Sequence, residues 1–143
     1  MAHFEKPYVT RLHNVCVLSE VKPVFTFEHP NPSTVIDNSR YTCLEFTATE
    51  AGMLHGFAGY FECTLYKGVL MSTNPATHSP EMYSWFPIFF PLRVPQYVAK
   101  DARVELHMWR VATTGKVWYE WAVTSPHVTP IHNPGGRSYW IGL

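Results

Sequence analysis

The sequence predicts an all-β fold, a β-barrel of about ten short antiparallel strands joined by long proline-rich loops. Three observations carry this. No segment sustains apolar residues at helical spacing, several stretches alternate apolar and polar residues at period two, and turn signals recur roughly every eight to fifteen positions. A chain of 143 residues suits one domain, spanning 1–143, with a core of its own.

Pro7 favours an extended entry into a first strand over 8–18, broken near Asn14. In 24–28, Phe25 and Phe27 alternate with Val24, Thr26 and Glu28, which predicts a short strand closed by the turn at 29–33. A strand over 41–47 places Leu44 and Phe46 on one face and Cys43 and Glu45 on the other. The longest alternation, 54–66, predicts one continuous strand, with Phe57, Gly59, Phe61, Cys63 and Leu65 on one side. Gly56 and Gly59 within it mark a bulge, a bend or a close backbone approach. Lys67 and Gly68 turn the chain, and 69–73 returns as a hairpin partner.

Two further strands, 103–111 and 116–124, form a hairpin around 112–115. Val104, Leu106 and Met108 share a face, as do Val117, Tyr119, Trp121 and Val123, while Trp109 and Trp118 lie opposite. Aromatics on both faces imply that both are partly covered. The segment 125–137 reads as a Pro-Gly-His loop and 138–142 as a last short strand.

The stretch 71–91 is of another kind. Pro75, Pro80, Pro87 and Pro91 lack the N–H that a ladder needs, which predicts a long loop. Among them sit Met82, Tyr83, Trp85, Phe86, Ile88, Phe89 and Phe90. Side chains so apolar either pack into the core or form a platform for a ligand or partner.

Eleven basic and eleven acidic residues give a formal net charge of zero, which argues against a nucleic-acid partner or an anionic membrane surface. Cys16, Cys43 and Cys63 are dispersed and odd in number, so neither a disulfide framework nor a C-x-x-C metal knuckle is expected, and a reducing compartment is. The N-terminus lacks the apolar core of a signal peptide and no run is long enough to span a bilayer, so a soluble intracellular protein is expected.

The eight histidines show none of the local spacings that hold zinc. His127 and His132, five apart in one loop, suit either ligation in a small metal-dependent enzyme or ordinary turn hydrogen bonds. There is no G-x-G-x-x-G and no G-x-S-x-G, which excludes a nucleotide-type cofactor turn and a nucleophile elbow. Ser79 and Ser84 lie near His78 and could imitate a dyad, although a turn role is simpler. Glu45 and Glu62 would make a carboxylate pair on adjacent strands, and otherwise are solvated sheet charges.

Several ordered blocks go further. They are Pro7-Tyr8-Val9 with Arg11-Leu12-His13-Asn14, the run from Phe25 through Asn31, that from Leu54 through Glu62, Thr77-His78-Ser79-Pro80, Tyr83-Ser84-Trp85-Phe86-Pro87-Ile88, that from Lys116 through Val123, Ile131-His132-Asn133-Pro134 and Gly136-Arg137-Ser138-Tyr139. With these the chain, over 4–143, resembles the C-terminal β-barrel, or oligomerisation, domain of the type II protein arginine methyltransferases, which make symmetric dimethylarginine.

That resemblance implies a substrate-binding set, Tyr83, Ser84 and Trp85, matching the family's aromatic-Ser-Trp. Trp85 would pack on the substrate guanidinium and the Ser84 backbone would fix its orientation. Tyr83 stands where Phe is common and adds a hydroxyl. The same resemblance implies that Phe4, Glu5, Lys6, Pro7, Tyr8, Val9 and Thr10 join a dimer contact. It further implies that this fragment holds no catalytic, cofactor or metal residues and is inactive alone. S-adenosylmethionine and two glutamates would belong to an upstream α/β catalytic domain.

Implied partners are that catalytic domain, further copies of the chain, a WD-repeat protein held by an N-terminal domain, and arginine-containing substrates such as histones and splicing factors. Chromatin regulation and a cytoplasmic and nuclear location follow from the same resemblance, which leaves 82–86 exposed, mobile or covered by a neighbouring copy. The alternative is a free-standing β-sandwich module that binds a sugar or peptide through Tyr83, Trp85 and Phe86.

Overall fold

The computed structural model describes residues 2–143, and its regular structure is almost wholly β. The strands are β1 (Tyr8–Val9), β2 (Arg40–Thr47), β3 (Gly52–Gly59), β4 (Glu62–Thr64), β5 (Leu70–Ser72), β6 (Ile88–Val98), β7 (Arg103–Ala112), β8 (Lys116–Ser125) and β9 (Ile141–Gly142). Among the described residues the helical segments are three 3-10 turns, at Ala2–Phe4, Tyr66–Gly68 and Pro134–Gly136, and no helix is long and apolar enough to cross a membrane. The all-β prediction is borne out.

All ladders are antiparallel. They form a three-stranded sheet in the order β1-β6-β3, a four-stranded sheet in the order β2-β7-β8-β9, and a separate β4-β5 hairpin. The core lies between the two larger sheets. Leu54, Phe90, Leu92 and Val98 come from one, and Val104, Leu106, Met108, Trp121 and Val123 from the other, all buried in one cluster. Period-two alternation explains this directly, since β2 reads half-buried then exposed along its whole length and β7 sends Val104, Leu106 and Met108 inward. At the centre Trp121 is fully buried, edge-on to Phe90 at 5.3 Å and stacked on His132 at 5.3 Å, and its indole N–H donates to the Pro91 carbonyl at 2.9 Å.

Three sequence expectations are corrected. The stretch 54–66 is two strands rather than one: the chain leaves the β3-β6 ladder after Gly59 and enters the β4-β5 hairpin. Phe61 makes the break, because its N–H donates to the Thr73 hydroxyl at 3.0 Å and its carbonyl accepts from the Thr73 N–H at 2.9 Å. Second, neither 24–28 nor 10–18 is a strand. Val24, Phe25 and Leu18 nonetheless pack on the core, and Arg40 and Arg110 lie over the Phe27 ring at 4.8 and 5.2 Å. The alternation there records burial by a chain laid along the sheets, not a ladder.

Third, Pro91 and Pro95 lie inside β6. The register steps from Leu54↔Gln96 to Gly56↔Pro91, so residues 92–95 of β6 form a bulge that takes Pro95 out of the ladder, and Pro91 stands at its edge opposite Gly56. The opposite glycine is required by space: a Cβ on Gly56 would fall 2.3 Å from the Phe90 carbonyl oxygen and 2.7 Å from the Phe89 ring.

Candidate functional site

The connection from β5 to β6, residues 73–87, rises from a polar base. Ser72 and Thr73 are buried, and buried polar groups persist only when hydrogen-bonded. The Ser72 N–H donates to the Ser79 hydroxyl at 3.0 Å, and the Ser72 hydroxyl accepts from the Asn74 N–H at 3.0 Å while meeting the Thr77 hydroxyl at 2.8 Å. Glu62 on β4 closes the arrangement, its carboxylate accepting from the Asn74 side chain at 3.0 Å and from the Thr77 hydroxyl at 2.5 Å. The Ser79 N–H returns to the Ser72 carbonyl at 3.0 Å. Short polar side chains that bond their own neighbouring backbone are what a tight turn demands, and 72–79, with Ser, Thr, Asn and two hydroxyls before Pro80, carries that signal.

Beyond this base the chain turns outward. Glu81 and Trp85 have positive φ, +57° and +71°, a region that costs a non-glycine residue about 1 kcal/mol or more. Trp85 is 61% exposed and touches Phe61 edge-on at 5.6 Å. Tyr83 is 84% exposed and Ser84 is exposed beside it. Phe86 is partly covered by the Arg11 guanidinium, 4.9 Å from its ring. The three residues expected to bind substrate thus stand together at the tip.

The segment 4–10 arrives at the exit of this loop. Tyr8 and Val9 pair with Phe89 and Ile88, and the Thr10 N–H donates to the Pro87 carbonyl at 3.0 Å. Its residues divide by direction. Glu5 and Pro7 are buried, Lys6, Tyr8 and Thr10 are half-buried, and Phe4 and Val9 are exposed. Tyr8 donates its hydroxyl to the His3 carbonyl at 2.6 Å and lies under the Lys6 ammonium. Glu5, 3% exposed, accepts from Arg137 at 2.7 to 3.0 Å and from the Ser138 hydroxyl at 3.2 Å, and also pairs with Arg93. A buried carboxylate held by two guanidiniums docks the segment on the turn at 133–138. That turn is itself fixed by Asn133, fully buried, whose amide donates to the Tyr119 and Tyr139 carbonyls at 2.9 and 2.8 Å.

Other singled-out residues find structural work. His127 is exposed, whereas His132 is buried, accepting from the Arg93 N–H at 3.0 Å and donating from Nδ1 to the Trp121 carbonyl at 3.1 Å. Both its nitrogens are therefore engaged within the fold, and it makes no metal pair with His127. Burial holds its pKa below the usual histidine range. Ser79 is spent in the polar base. Glu45 and Glu62 lie in different sheets and form no pair, the cross-strand neighbour of Glu45 being Glu105.

Comparison with known proteins finds relatives along nearly the whole chain. The sequence profile described as the PRMT5 oligomerisation domain matches residues 1–141. The chain is 53% identical over its whole length to the protein arginine N-methyltransferase 5 of Oryza sativa subsp. indica and 55% identical over 99% of its length to that of Xenopus laevis, in each case spanning 22% of the relative. It is 36% identical, over 95% of its length and 26% of the relative, to the protein arginine N-methyltransferase skb1 of Schizosaccharomyces pombe. The chain belongs to the PRMT5 oligomerisation domain family.

Proposed function

We propose that this domain supplies one wall of the substrate-arginine pocket, and part of the oligomer interface, of an S-adenosylmethionine-dependent methyltransferase that makes symmetric dimethylarginine. The observation that carries it is Trp85: a large ring, mostly exposed, held at positive φ on a loop whose base is locked by hydrogen bonds. A flat indole suits a delocalised guanidinium, and Ser84 and Tyr83 flank it. The described residues hold no strand-turn-helix fit for S-adenosylmethionine. In this reading the methyl donor and the paired glutamates belong to a separate catalytic domain, against which this loop closes.

In the segment 4–10 the outward Phe4 and Val9 are the contact residues for a second copy, while Glu5 and Pro7 hold the segment in place. Histone and splicing-factor arginines as substrates, a WD-repeat partner, and a cytoplasmic and nuclear location belong to the same proposal. So does the inactivity of the isolated chain.

Trp85→Ala in the full-length protein tests the pocket wall. Turnover should fall about 100-fold, as expected when a positioning contact is lost, with the folding of the protein unchanged. Unchanged turnover would overturn the assignment, as would methyl transfer by the isolated chain. The reading frame of the gene offers a simpler check: it should continue upstream into a Gly-rich turn and paired glutamates.

A further inference from the structure

The outer face of the four-stranded sheet carries a mixed cluster that the arginine pocket does not use. Register pairs Cys43 on β2 directly with His107 on β7, and Glu105 lies two residues along the same face. Cys43 Sγ is 3.7 Å from His107 Nε2, which is 3.2 Å from Glu105 Oε1, and the three ligand atoms all lie within 4.8 Å of one another. For tetrahedral zinc, with metal–sulfur bonds of about 2.3 Å and metal–nitrogen and metal–oxygen bonds of about 2.0 to 2.1 Å, neighbouring ligand atoms stand roughly 3.3 to 3.6 Å apart. The two edges that meet at His107 Nε2, 3.7 and 3.2 Å, lie close to that spacing.

The surroundings also suit a cation. Tyr41 bonds the other ring nitrogen of His107 at 2.8 Å and stacks on the ring. The contact serves either tautomer: the hydroxyl donates when Nε2 carries the proton, and accepts from Nδ1–H once Nε2 offers its lone pair. The Thr124 hydroxyl on β8 donates to Glu105 Oε1 at 2.5 Å and orients it, and Arg103 takes the other carboxylate oxygen while reaching Glu45 at 2.6 Å. A thiolate and a carboxylate together balance the charge of a divalent ion. Cys43 is exposed, so a fourth position opens to water.

We propose that Cys43, Glu105 and His107 form a three-ligand site for a borderline divalent cation, zinc in first place, with Tyr41 and Thr124 as positioning residues and water in the fourth place. Sulfur, imidazole nitrogen and one carboxylate oxygen in a tetrahedral frame select zinc over magnesium or calcium, which prefer oxygen in larger shells. The site lies on the sheet, away from the aromatic loop, and is independent of the pocket reading.

The test uses the full chain, purified without a histidine tag and stripped with a chelator. Zn2+ should bind at one equivalent by calorimetry, and Co2+ should give tetrahedral visible bands with a near-ultraviolet thiolate-to-cobalt band. Cys43→Ser should abolish the charge-transfer band and His107→Ala the stoichiometric binding, both with unchanged thermal midpoints for the metal-free proteins. Tyr41→Phe should weaken affinity about 10-fold, the cost of losing an outer-shell partner. Cys16→Ser and Cys63→Ser should bind as the parent does. Binding well below one equivalent would overturn the proposal, as would binding that survives both Cys43→Ser and His107→Ala.

Discussion

Trp121 and Trp85 are the same side chain put to opposite uses. In the β7–β8 hairpin the apolar residues are consumed by the fold, Trp121 being enclosed by Phe90, His132 and the Pro91 carbonyl. At the base of the loop 73–87 the polar residues are consumed, Glu62 of β4 and Ser72 of β5 bonding with Asn74, Thr77 and Ser79 while the aromatics face outward. A loop can display apolar side chains without collapsing when its short polar side chains satisfy its backbone first. Aromatic content alone does not say whether a segment is core or platform; the partners of its hydroxyls and amides do.

The contrast breaks most clearly at the core. Trp121→Ala should cost about 3–5 kcal/mol, since it empties a buried site and orphans a carbonyl, and chemical denaturation would measure it. Gly56→Ala is next, at about 1–3 kcal/mol, because the new methyl meets backbone that cannot move aside. Glu62→Ala should cost about 1 kcal/mol and act locally, so protease nicking within 78–85 should rise while the unfolding midpoint shifts little. Trp85→Ala should change stability by no more than about 0.5 kcal/mol, as a surface substitution that leaves the positive φ as it was. A large loss would put Trp85 with the core and erase the contrast.

The smallest effect is one of pH. His132 has a folded pKa below its ordinary value near 6.5, so the unfolded chain takes up a proton before the folded one does. Its contribution is fully present above that ordinary value and is lost as pH falls from there toward the folded value. Denaturation midpoints should be flat across neutral pH and decline on acidification, with a shallower decline in His132→Gln.

The hairpins, β2 and the inward set Val104, Leu106, Met108, Trp121 and Val123 were legible because period-two alternation maps directly onto faces. So was the glycine constraint at Gly56. The break at Phe61 was not, because a strand that changes partner keeps its alternation while leaving its ladder. The prolines of β6 misled for a related reason: Pro breaks a ladder only where an N–H is required, and Pro95 lies in the bulge at 92–95 with Pro91 at its edge. Trp85, Ser84 and Tyr83 were singled out through resemblance alone, and their polar base was present as a run of turn-forming side chains whose partner, Glu62, sat on another strand. Cys43 and His107 lie 64 residues apart and meet only through β2–β7 register, which no local spacing displays.

The Glu5 clasp bears on the order of assembly. It joins groups 132 residues apart, so it closes a loop of almost the whole chain, which must fold nearly all of its strands before Arg93 and Arg137 stand ready to receive the carboxylate. Contacts that form last are the first to reopen. Each opening would free β1 from β6 and bare unpaired strand edge at Ile88 and Phe89 beside the aromatic tip. Amide exchange would register it as a Thr10 N–H that trades with solvent faster than those of β7 and β8.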